Sequence, residues 1–113
     1  MRSHKDLVAW QAARASALAI HRHADRHWSP QRAAAFDQIR RASLSVQLNI
    51  AEGYASGVGA RCRFHLRVAH GSAVETTELL EFLEDLGGAV IGMIPLSIKV
   101  QGLTYMLWKK SRR

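Results

Sequence analysis

Hydrophobic residues recur along the chain with the period of α-helices, and clusters of Gly or Pro separate four such segments. The pattern predicts helices over residues of about 6–28, 31–54, 61–86 and 93–110. No segment alternates apolar and polar residues as a half-buried strand does. Helices joined by short connections pack as antiparallel neighbours, so we predict an all-α, up-down four-helix bundle in a single domain, 1–113.

The second and third predicted helices carry more apolar surface than one core requires. In the second helix the main stripe is Phe36, Ile39, Ser43, Val46, Ile50 and Tyr54, and a second stripe is Leu44, Leu48 and Ala51. In the third helix the main stripe is Phe64, Val68, Gly71, Ser72, Leu79, Phe82 and Leu86, and a weaker one is Leu66, Ala73 and Leu80. Because a monomer would expose the surplus stripes, we predict a homo-oligomer.

One carboxylate, Glu75, falls within the main stripe of the third helix, where burial without a partner would be unfavourable. A narrow polar strip on the second helix offers partners to it. We therefore predict a buried polar network that fixes helix register, and its members are Arg41, Ser45, Asn49, Glu52 and Glu75. The competing interpretation, a catalytic pair of carboxylates, needs a defined separation that helical spacing alone does not set.

The charge of the chain is strongly positive, with 16 Lys and Arg against 9 Asp and Glu and a formal net charge of +7. Such an excess favours an anionic partner, and we expect RNA or DNA phosphates bound with little base specificity. The candidate contacts are Arg40, Arg61, Arg63, Arg67, Lys109, Lys110, Arg112 and Arg113. A protein–protein scaffold, whose charge keeps it soluble or docks an acidic partner, is the alternative.

Residues with metal-binding or nucleophilic chemistry occur without companions. His23 and His27 are four residues apart, but no Cys or carboxylate accompanies them, so they are interpreted as solvated surface histidines. Cys62 lies between two arginines without the partners of a nucleophile. We expect no catalytic residues, no metal and no other cofactor, and therefore no enzyme.

Two further features indicate the compartment. A single Cys excludes an internal disulfide framework and fits a reducing cytoplasm. The longest apolar stretch, residues 87–98, is too short for a membrane-spanning helix, and no signal peptide is recognised at the start. We expect a cytoplasmic protein with no membrane partner.

Several short runs together resemble one known family. They are Asp6-Leu7-Val8-Ala9-Trp10-Gln11, Gln38-Ile39-Arg40-Arg41-Ala42-Ser43, Ser45-Val46, Asn49-Ile50-Ala51-Glu52-Gly53-Tyr54, and Val68-Ala69-His70-Gly71-Ser72 with Glu75. They resemble, from residue 6 to about 86, the four-helix-bundle proteins encoded in intervening sequences of bacterial 23S ribosomal RNA genes. The resemblance implies an up-down bundle in a ring, commonly a pentamer, without established enzymatic activity. The chain is also similar to accessory proteins of diversity-generating retroelements, which are basic rings that bind nucleic acid and a reverse transcriptase.

Overall fold

The computed structural model describes residues 3–112, which form four α-helices and no strand. The helices are α1 (Val8–His27), α2 (Ala33–Ala55), α3 (Ala60–Asp85) and α4 (Ile94–Ser111), with single 3₁₀ turns at His4–Asp6 and Ile91–Met93. The prediction of an all-α protein with four helices is confirmed. Each end of each helix lies within two residues of the predicted one.

Helices that follow one another in sequence run antiparallel, and α1 packs on α4 to close the bundle. The hydroxyls of Ser45 and Ser72 lie 2.9 Å apart across α2 and α3, and those of Thr77 and Ser97 lie 2.7 Å apart across α3 and α4. The bundle measures 43 × 22 × 21 Å. We call the end where α1 and α3 begin and α2 and α4 finish the basal end, and the opposite one the distal end.

Two apolar clusters make up the core. The basal cluster is Ala9, Ala12, Ala13, Val46, Ile50, Ala69, Ala73 and Val100, and the distal cluster is Ile20, Ala24, Phe36, Ile39, Leu80, Leu83 and Val90. Buried hydroxyls lie along α3 and α4, and most of them donate to the carbonyl four residues earlier, as Thr76 does to Ser72 at 2.7 Å. Such bonds let a hydroxyl enter the core without a partner from another helix.

The inward face of α3 differs from the predicted one. Leu66, Leu80 and Leu83 are buried, whereas Phe64 and Phe82 of the predicted main stripe are 51% and 56% exposed. The assignment of the main stripe was therefore wrong, because the buried positions of α3 are largely small residues that let neighbouring helices approach closely: Ala69, Ala73, Thr76 and Thr77. On α2 the main stripe is buried as predicted, except that Tyr54 at its end is exposed.

The connection between α3 and α4 is held by side chains from two other places in the bundle. Glu84 Oε1 accepts from the backbone N–H groups of Val90 and Ile91, at 2.9 and 2.8 Å. His23 Nε2 donates to the carbonyl of Gly88 at 2.7 Å, and its ring stacks on that of His27. His23 is thus half-buried, so its interpretation as a solvated histidine was wrong.

Candidate functional site

The side of α2 and α3 that faces away from α1 and α4 exposes several apolar side chains. On α2, Leu44 and Leu48 lie one turn apart and are 41% and 48% exposed. On α3 the side chains of Phe64 and Phe82 project from the same side as Gly71. A Cβ added to Gly71 would have no neighbouring atom from elsewhere in residues 3–112 within 4 Å. We call these five residues the outer face.

A line of polar side chains runs along the groove between α2 and α3 beside the outer face, and we call it the polar seam. Its distal part is a chain in which Arg41 donates to Gln38 Oε1 at 2.7 Å and Gln38 Nε2 donates to Glu75 Oε2 at 2.6 Å. Glu75 is exposed, so the prediction that the core buries it is wrong: the stripe that contains it points outward. Within residues 3–112 its contacts are lateral, across the groove.

The basal part of the polar seam centres on Asn49 and His65. Asn49 donates to the Oγ of Ser45 at 3.1 Å, and its Oδ1 lies 3.0 Å from His65 Nδ1. The same nitrogen of His65 lies 3.2 Å from Glu52 Oε2. An amide oxygen can only accept, so His65 Nδ1 donates its proton to Asn49, and the Glu52 carboxylate lies beside this bond as a charged neighbour. The structure thus places all five predicted network residues in one groove, in two separate groups, but it does not bury the network, since Arg41, Glu52 and Glu75 are exposed.

Three members of the polar seam lie outside the predicted network: Gln38, His65 and Ser72. Gln38 was recognisable from its place on the polar strip of α2. His65 and Ser72 belong to the polar seam because the alignment of α3 along α2 places them beside Asn49 and Ser45. That alignment depends on a close approach at buried Gly53, where an added Cβ would lie 3.3 Å from both His65 Cβ and Leu66 Cδ2. Gly53 therefore fixes how near His65 comes to Asn49 and Glu52.

The basal end gathers most of the predicted phosphate contacts. Its basic residues are Lys5, Arg14, Arg61, Arg63, Arg67, Lys109, Lys110 and Arg112, and its acids within the described residues are Asp6 and Glu52. All these bases except Arg63, which is half-buried, are exposed. The chain has no Asp or Glu in residues 53–74 or 86–113, which include the basal halves of α3 and α4. Arg113 lies outside the described residues.

Arg40, the remaining candidate, lies elsewhere and is already paired. Its guanidinium is 2.8 Å from Asp25 on α1 and 3.2 Å from Asp37 one turn earlier on α2. These two carboxylates neutralise it locally and hold α1 against α2. The structure therefore does not group Arg40 with the bases of the basal end.

Residues 3–112 contain neither a cluster of metal ligands nor a helix suited to crossing a membrane. No group of three or more His, Cys, Asp or Glu side chains is arranged to bind a metal ion there. None of the helices in this part of the chain combines the length and hydrophobicity needed to cross a membrane. Cys62 is a half-buried free thiol near the start of α3.

Comparison with known families gives a match over most of the chain. The family model described as 23S rRNA-intervening sequence protein matches residues 5–90. The chain belongs to this family. The resemblance read from the sequence is thereby confirmed, and the matched span contains α1, α2, α3 and the whole polar seam but ends before α4. No curated protein and no solved structure matches the chain.

Proposed function

We propose that this 23S rRNA-intervening sequence protein is a non-enzymatic subunit of a homopentameric ring that binds the phosphates of RNA or DNA through its basal end. The observation that carries the proposal is the coexistence of an unpartnered apolar outer face with a basal end rich in bases. The family's name links such proteins with 23S rRNA, so structured ribosomal RNA is the first ligand to test.

Assembly is supported by the composition of the outer face. Several large apolar side chains exposed on one side of the bundle, as Leu44, Leu48, Phe64 and Phe82 are, are typical of a surface that another subunit covers. Gly71 adds a second argument, since a glycine inside a helix is less favourable than alanine by about 1 kcal/mol. Among residues 3–112 nothing lies within 4 Å of a Cβ added there, but a second subunit approaching this face would gain a close backbone contact.

The charge pattern of α3 suggests how two copies would fit together. The first half of α3 carries Arg61, Arg63 and Arg67, and its last two turns carry Glu78, Glu81 and Asp85. This arrangement opposes the preference of the helix dipole, which favours acids at the start and bases at the end. Contacts that set the basic half of one copy against the acidic half of the next would compensate for it.

Light scattering on the purified protein tests assembly. Wild type should have a molar mass of five chains, and Leu48→Glu should reduce it to one because a charge would be placed in the apolar contact. Ile98→Glu is the matched control, since Ile98 on α4 is similarly exposed and lies outside the outer face. A monomeric wild type, or an unchanged mass for Leu48→Glu, would contradict the ring.

Phosphate binding is tested by fluorescence anisotropy with a 23S rRNA fragment and a DNA duplex across a salt series. Wild-type affinity should fall linearly in log salt, and replacing Arg61, Arg63 and Arg67 with Gln should make the slope shallower by about 2 to 3 on duplex DNA. Replacing Arg22, Arg26 and Lys99 with Gln removes the same charge outside the basal end and should change the slope less.

Absence of wild-type binding at low salt would overturn the phosphate-binding proposal. It would favour the alternative, a scaffold or accessory subunit of a reverse transcriptase or another nucleic-acid enzyme, without strong nucleic-acid affinity of its own. Catalysis is not part of either proposal.

A further inference from the structure

A cluster of aromatic side chains lies across α3 and α4 in the basal half of the bundle. The rings of His70 and Trp108 are nearly parallel, with centroids 6.1 Å apart and an interplanar angle of 20°. Tyr105 stands edge-on to Trp108 at 6.2 Å and lies 5.5 Å from His70. Tyr105 is 43% exposed, and the other two rings are half-buried. We call these three residues the aromatic cluster.

Hydrogen bonding to Thr104 fixes the ring of His70. The Thr104 hydroxyl donates to a carbonyl of its own helix, that of Val100 at 2.8 Å, so its oxygen can only accept from His70 Nδ1, 3.3 Å away. Nδ1 therefore carries a proton. Nε2 has no hydrogen-bond partner among residues 3–112. The cluster thus holds a ring of fixed orientation with one nitrogen left for a ligand.

Cations surround the aromatic cluster. The Arg112 guanidinium lies 5.4 Å from the centroid of Trp108, and Lys109 is exposed on the adjoining turn. Arg67 is one turn before His70 on α3, and its guanidinium carbon lies 5.9 Å from the centroid of the exposed Phe64 ring. The first acid along α3 is Glu75, on the far side of the helix toward α2, and α4 has none. The potential around the rings is therefore positive.

We propose that the aromatic cluster binds unpaired nucleotides of single-stranded RNA or DNA, whose bases stack on Tyr105 and Trp108 while Arg67, Lys109 and Arg112 contact the flanking phosphates. Bases have π-faces that stack on aromatic side chains regardless of sequence. Paired bases already stack on one another inside a duplex, so rings on a helix surface select single strands, loops and bulges. This inference rests on the proposed phosphate binding and gives it a second, charge-independent component.

Fluorescence anisotropy with three fluorescein-labelled probes of twelve nucleotides tests the stacking. The probes are an unstructured pyrimidine RNA, the duplex that it forms with its complement, and an abasic strand that keeps the sugar–phosphate backbone but has no bases. Wild type should bind the single strand at least about tenfold more tightly than the abasic strand. Tyr105→Ala should weaken single-strand binding about 5- to 100-fold and leave the affinities for the duplex and the abasic strand unchanged. Tyr105→Phe should retain binding, because stacking does not need the hydroxyl.

Salt dependence separates stacking from charge. Tyr105→Ala should lower affinity for the single strand without changing the slope of log affinity against log salt. Arg112→Gln should make that slope shallower by about 0.7, the value for one phosphate contact on a single strand. Met106→Ala is the matched control for Tyr105→Ala, since Met106 is the next residue of α4, is 52% exposed and has no ring. It should bind like wild type.

Each other outcome has a defined meaning. Equal binding of the abasic and normal single strands would overturn the stacking inference and leave phosphate binding intact. Loss of oligomer mass together with loss of binding in both Tyr105→Ala and Met106→Ala would instead make this surface a contact between copies. Failure of wild type to bind any probe at low salt would overturn the proposed phosphate binding itself. Circular dichroism melts check that every variant folds.

Discussion

Leu80 and Phe82 lie two residues apart on α3 but on opposite sides of it, and truncation to Ala should separate their roles. Leu80 is fully buried in the distal cluster, whereas Phe82 is 56% exposed. Leu80→Ala removes apolar packing and leaves a cavity, so it should lower the free energy of unfolding by about 2–5 kcal/mol. Phe82→Ala should change it by about 0.5 kcal/mol or less, as most surface substitutions do.

Urea unfolding followed by circular dichroism measures both changes. The substitutions are made in the Leu48→Glu background, which we expect to be monomeric, so that assembly does not add to the stability of the folded chain. With a slope of about 1–3 kcal/mol per M, a loss of about 3 kcal/mol moves the midpoint by 1 M or more. Equal losses for the two variants, or a larger loss for Phe82→Ala, would refute the burial assigned to α3.

Three further outcomes are expected. Made in the Leu48→Glu background, Gly71→Ala and Gly102→Ala should each stabilise the helix by about 1 kcal/mol and so raise the melting temperature, whereas in the assembling wild type only Gly71→Ala should weaken assembly in light scattering; equal effects on assembly would contradict the outer-face contact. A double-mutant cycle of Thr77→Val and Ser97→Ala should give a coupling energy of about 1 kcal/mol from chemical unfolding, because the two hydroxyls bond in the core; no coupling would argue against that bond. Arg40→Ala should cost less than about 1 kcal/mol and leave the salt slope of RNA binding unchanged, since Arg40 is held by carboxylates of its own chain.

The fold was predictable because each helix combines a 3.6-residue period with a definite break at its end. The start of α2 shows the limit of that approach. The pattern predicted a helix from about residue 31, yet residues 30–32 form a turn and α2 begins at Ala33. The Arg32 side chain in that turn donates to the Ser29 hydroxyl and to the carbonyl of Leu86, which is a tertiary contact. Local propensity does not contain that information.

The polar seam was predictable in part, and the aromatic cluster was not. The narrow polar strip on α2 identified Arg41, Ser45, Asn49 and Glu52. Polar residues on one side of a helix that is otherwise apolar are expected to bond to polar groups of a neighbouring helix. His65 could not be found without the register of α3. The aromatic cluster was hidden because the positions of α4 that face α3 are hydroxyls, such as Ser97 and Thr104, which blur the apolar stripe that would have oriented the helix.

The separation of charge along the bundle has a kinetic consequence. The molecule is 43 Å long, whereas electrostatic interactions are screened over about 8 Å at physiological ionic strength. A polyanion that approaches the basal end therefore experiences the bases there almost independently of the acids at the distal end of α3. The net charge of +7 understates the local attraction, and productive encounters should be oriented before any contact forms. As salt is added, the association rate should then fall by a larger factor than the factor by which the dissociation rate changes.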